Sequence, residues 1–199
     1  RIVCGGSAVP KSLSEAYRAK IGLPILQAWG MTETSPLGSV CTIKSTMEDR
    51  SPEELADVRT AAGLPVPLVD ARIVDTDTDA ELPWDGEARG ELQVRGPWIA
   101  AGYHKIERSP ASFTGDGWLR TGDVATIDPE GYIRLVDRTK DLIKSGGEWI
   151  SSVELENEIM ADPRVAEACV VGVEDEKWGE RPLAAVVAVA GAELSADDV

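Results

Sequence analysis

The sequence predicts an α/β region, a β-rich region and a second, smaller α/β region within 199 residues. Three observations support this order. The first thirty residues alternate strand, helix and strand patterns, short alternating segments fill the middle, and a capped helix with two strand patterns follows. We therefore assign residues 1–66 to the end of a parallel α/β subdomain, 67–137 to a small β subdomain, 138–140 to a joint, and 141–199 to the start of a small α/β domain.

Two loops near the start follow predicted strands. Residues 1–4 form an apolar strand pattern that ends in the turn GGSA at 5–8. A helix is predicted over 12–20 with Ser12 as its N-cap, and residues 24–29 form the next strand. Ligands of parallel α/β sheets bind beyond the carboxyl ends of strands, so both following loops are candidate ligand sites. The glycines of GGSA are equally explained as plain turn residues.

The loop after the second strand reads GMTETS from Gly30. Thr32 offers a hydroxyl donor and Glu33 offers a hard oxygen ligand, a combination that suits a phosphate and its Mg²⁺. On residue types alone, the same run is equally well explained as a polar loop with a helix cap.

The middle of the chain carries a helix start and several short strand patterns. Ser51, followed by Pro and by Glu at the third helical position, predicts a capped helix. Residues 69–74 and 90–95 predict strands. The acidic tract at 75–79 imitates the first half of a calcium-binding loop, but Ala80 stands where that loop needs glycine. We expect an acidic hairpin tip instead.

The stretch from Gly117 to Glu158 contains the densest set of signals. Its segments DVATID and YIRLVD predict a hairpin around Pro-Glu-Gly at 129–131. Ser151, with Glu154 three residues later, predicts a capping box that opens a helix. Between hairpin and helix the cations cluster, and they are Arg134, Arg138, Lys140 and Lys144. Such a run indicates either a solvated strand and turn or a locally basic ligand site.

Several of these motifs together resemble one family. The run TGD at 121–123, then DRTKDLIKSGGEWI at 137–150, and QAWGMTETSP at 27–36 resemble the adenylate-forming superfamily of acyl-CoA synthetases, luciferases and peptide-synthetase adenylation domains. The residues of these motifs are most similar to those of bacterial medium-chain fatty-acid–CoA ligases and 3-(methylthio)propionate–CoA ligases. The resemblance covers Gly5 to about Leu183.

The resemblance implies an acid–thiol ligase that uses ATP, Mg²⁺ and coenzyme A to convert a medium-chain carboxylic acid to its acyl-AMP and then its acyl-CoA. It implies a hinge at Lys140 and a mobile C-terminal domain after it. The implied catalytic residues are Thr32, Glu33, Lys140 and Lys144, with Glu33 as the metal ligand. The implied nucleotide, acyl and CoA contacts are Gly5, Ser7, Trp29, Gly30, Thr32, Asp123, Arg138, Gly146, Gly147 and Trp149.

Two family elements are not found in this sequence, namely a Ser/Thr/Gly-rich phosphate loop and a late catalytic lysine. We expect the first before Arg1 and the second after Val199, so we interpret the chain as a truncated fragment that should not catalyse alone. Adenylation with transfer to a carrier protein and a non-catalytic binding module on the same fold are the alternatives.

Composition limits the partners and the compartment. The net charge of −15 argues against nucleic acid and anionic membrane surfaces, and no apolar run is long enough for a membrane span. Three widely spaced cysteines without a CxxC predict a reducing cytoplasm. The expected partners are therefore small molecules, with a homodimer left open. The single histidine, His104, argues against a histidine-based zinc site.

Overall fold

The computed structural model describes residues 2–6, 9–106 and 111–195 in two units, one up to Leu135 and one from Val136. The helices are α1 (Lys11–Ile21), α2 (Pro52–Val58) and α3 (Ser152–Ile159). The strands are β1 (Ile2–Cys4), β2 (Ile25–Trp29), β3 (Ser39–Val40), β4 (Leu64–Pro65), β5 (Asp70–Val74), β6 (Gly90–Arg95), β7 (Leu119–Ile127), β8 (Ile133–Arg138), β9 (Ile143–Ser145), β10 (Glu148–Ile150), β11 (Val165–Asp175) and β12 (Gly179–Ala188).

The first sheet has the order β1-β2-β3-β4 and contains the predicted parallel pair. Ile2 of β1 lies beside Ile25 of β2, with α1 as the crossover between them. The helix starts at Lys11 with Pro10 at the N-cap position, so the predicted start at Ser12 is wrong by one residue and by its cap. Pro10 has an extended ψ of 139° and no backbone N–H, so it precedes the helix without leaving a donor unpaired.

The second sheet has the order β5-β6-β7-β8, and β6 pairs with both β5 and β7 in the antiparallel sense. Its apolar face forms the main core of the first unit, where Ile73, Leu92 and Ile133 are fully buried. The predicted capping box of α2 is confirmed, because the Ser51 hydroxyl accepts a hydrogen bond from the Glu54 amide and the Glu54 carboxylate accepts one from the Ser51 amide.

The acidic tract forms a turn that closes on itself. Asp75 Oδ1 accepts hydrogen bonds from the Asp77 amide and from the amide and hydroxyl of Thr78. The Asp79 carboxylate pairs with Arg120 at 2.6 Å. These local bonds explain the tract as a turn between β5 and the bridge at Glu81.

The strand β7 is irregular where it carries the Thr-Gly-Asp motif. Thr121, Gly122 and Asp123 lie opposite the single residue Leu92 of β6, so β7 bulges at this point. Gly122 has a φ of 71°, in the left-handed region that favours glycine. The strand begins at Leu119 rather than at Asp123, where alternation alone had placed its start.

The second unit contains a sheet of order β10-β9-β12-β11 together with α3. The predicted cap of α3 is confirmed at Ser151, whose hydroxyl accepts from the Glu154 amide at 3.1 Å. A second cap comes from the buried carboxylate of Asp137, which accepts from the Ser152 amide at 2.7 Å and from the Ser152 hydroxyl at 2.9 Å. A negative charge at a helix N-terminus is stabilised by the helix dipole.

Across the described residues, no helix combines the length and the hydropathy that a membrane span requires.

Candidate functional site

The loop after β2 is a tight, internally bonded turn. Thr32–Thr34 forms one turn of 3₁₀ helix. The Thr34 hydroxyl accepts a hydrogen bond from the Met31 amide at 2.9 Å and donates one to the Pro36 carbonyl oxygen at 2.8 Å. A Cβ on Gly30 would lie 1.8 Å from that same carbonyl oxygen. Only glycine therefore fits at position 30 without displacement of the loop.

Trp29 connects this loop to the Thr-Gly-Asp bulge. Its indole Nε1 donates a hydrogen bond of 2.8 Å to Asp123 Oδ2. The indole is 7% exposed and packs so tightly that a Cβ on Gly38 would lie 2.3 Å from the ring. The bulge is itself anchored, because Thr121 Oγ1 donates to the carbonyl oxygen of Leu92 at 2.7 Å. Two motifs far apart in sequence thus meet at one point.

The carboxylate of Glu33 lies at the other end of the loop. Tyr103 donates its hydroxyl proton to Glu33 Oε1 at 2.8 Å, and this hydrogen bond raises the pKa of the Tyr103 phenol. The amide of Ala100 donates to the Glu33 carbonyl oxygen at 2.7 Å. The hydroxyl-bearing residue Thr32 is exposed.

Sequence reasoning missed Tyr103 and the direct bond between Trp29 and Asp123. The only local signal for Tyr103 is an aromatic residue after Gly102 in the loop that follows β6, and nothing in the spacing links it to Glu33. Gly5 approaches the backbone of Ala28 closely, since a Cβ there would lie 3.1 Å from the Ala28 carbonyl oxygen. The predicted contact Ser7 lies outside the described residues.

In the second unit, the predicted residues surround the hairpin of β9 and β10. Lys144 and Trp149 are opposite each other, and Lys144 Nζ lies 5.4 Å from the centre of the Trp149 ring. Gly146 donates its amide proton to the Trp178 carbonyl oxygen at 2.8 Å, and a Cβ at position 146 would lie 2.9 Å from the Trp178 ring. Gly147 has a φ of 88° and open space around it.

A cavity of about 400 Å³ lies beside this hairpin. Its lining includes Ser145, Gly146, Glu148, Ile150, Trp178, Arg181 and Pro182. Trp149 and Lys144 lie on the same hairpin but are not among the lining residues. Arg138 and Lys140 are exposed in and after the end of β8, where the Arg138 carbonyl oxygen accepts from the amides of Asp141 and Leu142.

The basic cluster predicted from sequence is divided by the fold. Arg134 donates to the carbonyl oxygen of Asp57 at 3.3 Å and to the Asp57 carboxylate at 3.1 Å, so its guanidinium is bound to the C-terminal end of α2. Arg134 is therefore a structural cation of the first unit. The remaining candidates, Arg138, Lys140 and Lys144, belong to the second unit.

The residues around Glu33 fit an Mg²⁺ that is carried by a nucleotide. Within the described residues, no three His, Cys, Asp or Glu side chains gather into a group that could hold a metal alone. Mg²⁺ typically takes one or two carboxylates and completes its shell with water and substrate phosphates. One half-buried carboxylate whose Oε1 is already fixed by Tyr103 matches that pattern.

Comparisons with known proteins agree with the motifs. The model for AMP-binding enzymes matches residues 1–104, and the model for the AMP-binding enzyme C-terminal domain matches residues 154–199. The long-chain-fatty-acid–CoA ligase of Thermus thermophilus is 50% identical over 188 residues, which cover 94% of this chain and 34% of that protein. The medium-chain-fatty-acid–CoA ligase of Ectopseudomonas oleovorans is 43% identical over 199 residues, which cover 100% of this chain and 36% of that protein.

A solved structure gives the same result. The o-succinylbenzoate CoA synthetase of Bacillus subtilis, in complex with its acyl-adenylate intermediate, superposes with a TM-score of 0.82 at 36% identity over 99% of this chain and 37% of that one. The chain spans about a third of the length of the curated relatives that it matches.

Proposed function

The chain belongs to the family of AMP-binding enzymes, and from this premise we propose that its protein is an ATP-dependent acid–thiol ligase. The proposed reaction has two steps. A carboxylate oxygen of the acid attacks the α-phosphorus of ATP, and pyrophosphate leaves. The thiolate of coenzyme A then attacks the acyl carbon of the acyl-AMP, the bond to the phosphate oxygen breaks, and AMP leaves.

The observation that carries this proposal is the hydrogen bond between Trp29 and Asp123. It joins the GMTET loop to the Thr-Gly-Asp bulge, so the two segments proposed to hold the nucleotide share one site. The bond links a buried indole to a half-buried carboxylate and so holds the two segments together.

In the proposed site, Asp123 accepts hydrogen bonds from the ribose hydroxyls of the nucleotide. A carboxylate is an acceptor only, and its two oxygens suit a vicinal diol. Trp29 Nε1 holds Oδ2, which fixes the orientation of the carboxylate before the nucleotide arrives. Arg138 is the second proposed ribose contact.

The GMTET loop faces the phosphates in this proposal. Thr32 donates its hydroxyl to the α-phosphate, and the missing side chain of Gly30 permits the tight turn that presents this loop to the adenylate, because a Cβ there would meet the Pro36 carbonyl oxygen. Mg²⁺, when bound by Glu33 and the phosphates, would supply positive charge against the negative charge of the reacting phosphate. Fixed donors of this kind stabilise charge that develops in the transition state.

The second unit serves the thioester step in this proposal. Gly146 and Gly147 keep their turn free of side chains, and the pantetheine arm of coenzyme A passes along this turn. Trp149 packs beside it, and Lys144 holds a phosphate. Lys140 is the hinge residue.

The test uses the protein that contains this chain, with ATP, Mg²⁺ and a panel of acids. Acids of short, medium and long chain length are compared with 3-(methylthio)propionate, since the acid specificity is open. Formation of acyl-CoA is measured beside transfer to an acyl carrier protein. Release of AMP and pyrophosphate with acyl-CoA as product is the expected result. Acyl-AMP formation without thioester to CoA would instead favour a carrier-protein ligase, and the absence of ATP binding would leave only a binding module.

We also propose a reducing, cytoplasmic location. The three cysteines, Cys4, Cys41 and Cys169, are free thiols in the structure, and disulfides are rare in a reducing cytoplasm. Cell fractionation, with each thiol trapped by alkylation at lysis, tests this location.

A further inference from the structure

Residues 98–103, which follow β6, are bonded repeatedly to residues 33–37 after β2. We call residues 98–103 the brace. Four hydrogen bonds join the brace to residues 33–37. They run from the Ser35 hydroxyl to the Trp98 carbonyl oxygen at 3.0 Å, from Trp98 Nε1 to the Leu37 carbonyl oxygen at 3.3 Å, from the Ala100 amide to the Glu33 carbonyl oxygen at 2.7 Å, and from the Tyr103 hydroxyl to Glu33 Oε1 at 2.8 Å.

The brace therefore holds Glu33 by both its backbone and its side chain. A glutamate side chain has many rotamers, and their loss opposes any fixed position. One bond to the carbonyl oxygen and one to a carboxylate oxygen together fix both ends of the residue. Hydrogen bonds to a charged group are also stronger than those between neutral groups.

The direction of the hydrogen bond between Tyr103 and Glu33 follows from the two groups. A carboxylate accepts and a phenol donates, so the proton lies on Tyr103 and the negative charge stays on Glu33. The bond occupies Oε1. In the part of the chain that the structure describes, no hydrogen bond reaches the other oxygen, Oε2.

The ring of Tyr103 is oriented by its neighbour. It contacts Phe113 edge to face, with ring centres 5.7 Å apart and planes at 62°. Phe113 is 3% exposed, whereas Tyr103 is 43% exposed. Burial of apolar surface is therefore a small part of what Tyr103 contributes, and its hydroxyl is the group that has a defined partner.

We propose that Tyr103 is a positioning residue that holds Oε1 of Glu33, so that Oε2 is presented to a divalent cation carried by the nucleotide. This inference rests on the function proposed above, because it requires that Glu33 faces a metal-bound phosphate. It assigns a role to the brace, which no motif of the sequence indicated. Tyr103 does not itself contact the nucleotide in this assignment.

The experiment replaces Tyr103 by phenylalanine in the protein that contains this chain. The Tyr103→Phe variant keeps the ring contact with Phe113 and removes only the hydroxyl. Binding of Mn²⁺ with a non-hydrolysable ATP analogue is followed by electron paramagnetic resonance, which reads the site without turnover. We expect Mn²⁺ affinity to fall by about tenfold, the size of effect typical of a lost hydrogen bond to a charged group. The midpoint of thermal unfolding should fall by only a few degrees, because Tyr103 is 43% exposed and its ring contact with Phe113 is kept.

The matched control is Tyr17→Phe, which removes the hydroxyl of a partly exposed tyrosine on α1. It should bind Mn²⁺ as the parent protein does. In a Glu33→Gln background, Tyr103→Phe should have little further effect, because both changes remove one interaction.

Three outcomes would overturn the proposal. Unchanged Mn²⁺ affinity in Tyr103→Phe, with or without a lower thermal midpoint, would show a structural role only. An undiminished effect in the Glu33→Gln background would show that Tyr103 acts through another group. A parent protein that binds the ATP analogue but holds no Mn²⁺ beside it would contradict the metal role of Glu33, whereas a parent protein that does not bind the analogue at all would contradict the proposed function.

Discussion

Trp29 and Asp123 are joined by a hydrogen bond of 2.8 Å although 94 positions separate them in the chain. The donor is an indole at the end of β2 in the first sheet, and the acceptor is a carboxylate on the bulge of β7 in the second sheet. The bond therefore makes the orientation of Asp123 depend on the packing of Trp29.

Asp123→Ala should severely weaken the use of ATP while the fold stays intact. The proposed ribose contacts are charge-assisted, and their loss costs on the order of 2–4 kcal/mol. We therefore expect kcat/KM for ATP to fall by about 30-fold or more. Steady-state kinetics with varied ATP measure this, and an unchanged ATP dependence would refute the ribose assignment. Asp77→Ala, on the exposed acidic turn, is the matched control.

Trp29→Phe tests the orienting bond separately. Phenylalanine keeps an aromatic ring against Gly38 but has no N–H for Asp123. We expect the KM for ATP to rise by about tenfold, which is less than the rise expected in Asp123→Ala. If the KM of Trp29→Phe equalled that of the parent protein, the bond would have no part in holding the carboxylate.

Gly30→Ala should disrupt the loop. The new Cβ would lie 1.8 Å from the Pro36 carbonyl oxygen and 2.9 Å from Thr34 Oγ1, so the GMTET turn must move. We expect a large loss of pyrophosphate exchange together with a lower thermal midpoint. Gly115→Ala is the control, because no atom lies within 4 Å of a Cβ there. Equal behaviour of the two variants would mean that the close approach at Gly30 has no functional consequence.

Local signals in the sequence predicted the local structure well. The hydroxyls of Ser51 and Ser151 cap their helices through amides three residues away, and such short-range bonds follow from residue type and spacing. The hairpin around residues 129–131 and the parallel pair of β1 and β2 were likewise predicted from alternation and chain order.

Contacts between distant segments were the part that the sequence did not reveal. The cap of α3 by Asp137 spans 15 positions, and the bond from Tyr103 to Glu33 spans 70. Arg134 belongs to a basic cluster for which the sequence left a solvated strand and a ligand site open, and its partner Asp57 lies 77 positions away. Only the packing of the sheets decides such pairs, and residue spacing carries no information about it.

The stability of the protein should depend on pH through Cys41. Burial raises the pKa of the Cys41 thiol from 9.0 to about 11, and its sulfur donates to the Val58 carbonyl oxygen at 3.2 Å. The folded state thus favours the neutral thiol. This contribution is fully present below the unfolded pKa near 9 and is lost as pH rises through the folded value of about 11.

Thermal unfolding between pH 8 and 11 measures this effect. Cys41→Ala should be less stable than the parent protein at pH 8, because the buried sulfur leaves a cavity, but should lose less stability at alkaline pH. Cys169→Ala, at an exposed cysteine, should follow the slope of the parent protein. If the stability of Cys41→Ala fell with rising pH as steeply as that of the parent protein, the loss of stability at alkaline pH would come from other groups.

Lys140 lies in the turn that follows β8. If the unit after this turn changes orientation between the two half-reactions, backbone torsions at Lys140 and its neighbours must absorb the motion. Proline fixes φ near −65° and restricts the residue before it, so Lys140→Pro limits rotation in this turn. Among the described residues none accepts a hydrogen bond from the Lys140 amide, so the lost N–H leaves no described acceptor unpaired. We expect one half-reaction to fall much more than the other. Adenylation is measured by pyrophosphate exchange, and thioester formation is measured from preformed acyl-AMP.

Lys140→Ala controls for the lost charge and should affect both steps mildly. Equal loss of both activities in Lys140→Pro would mean that the turn is only a linker or that the fold is damaged.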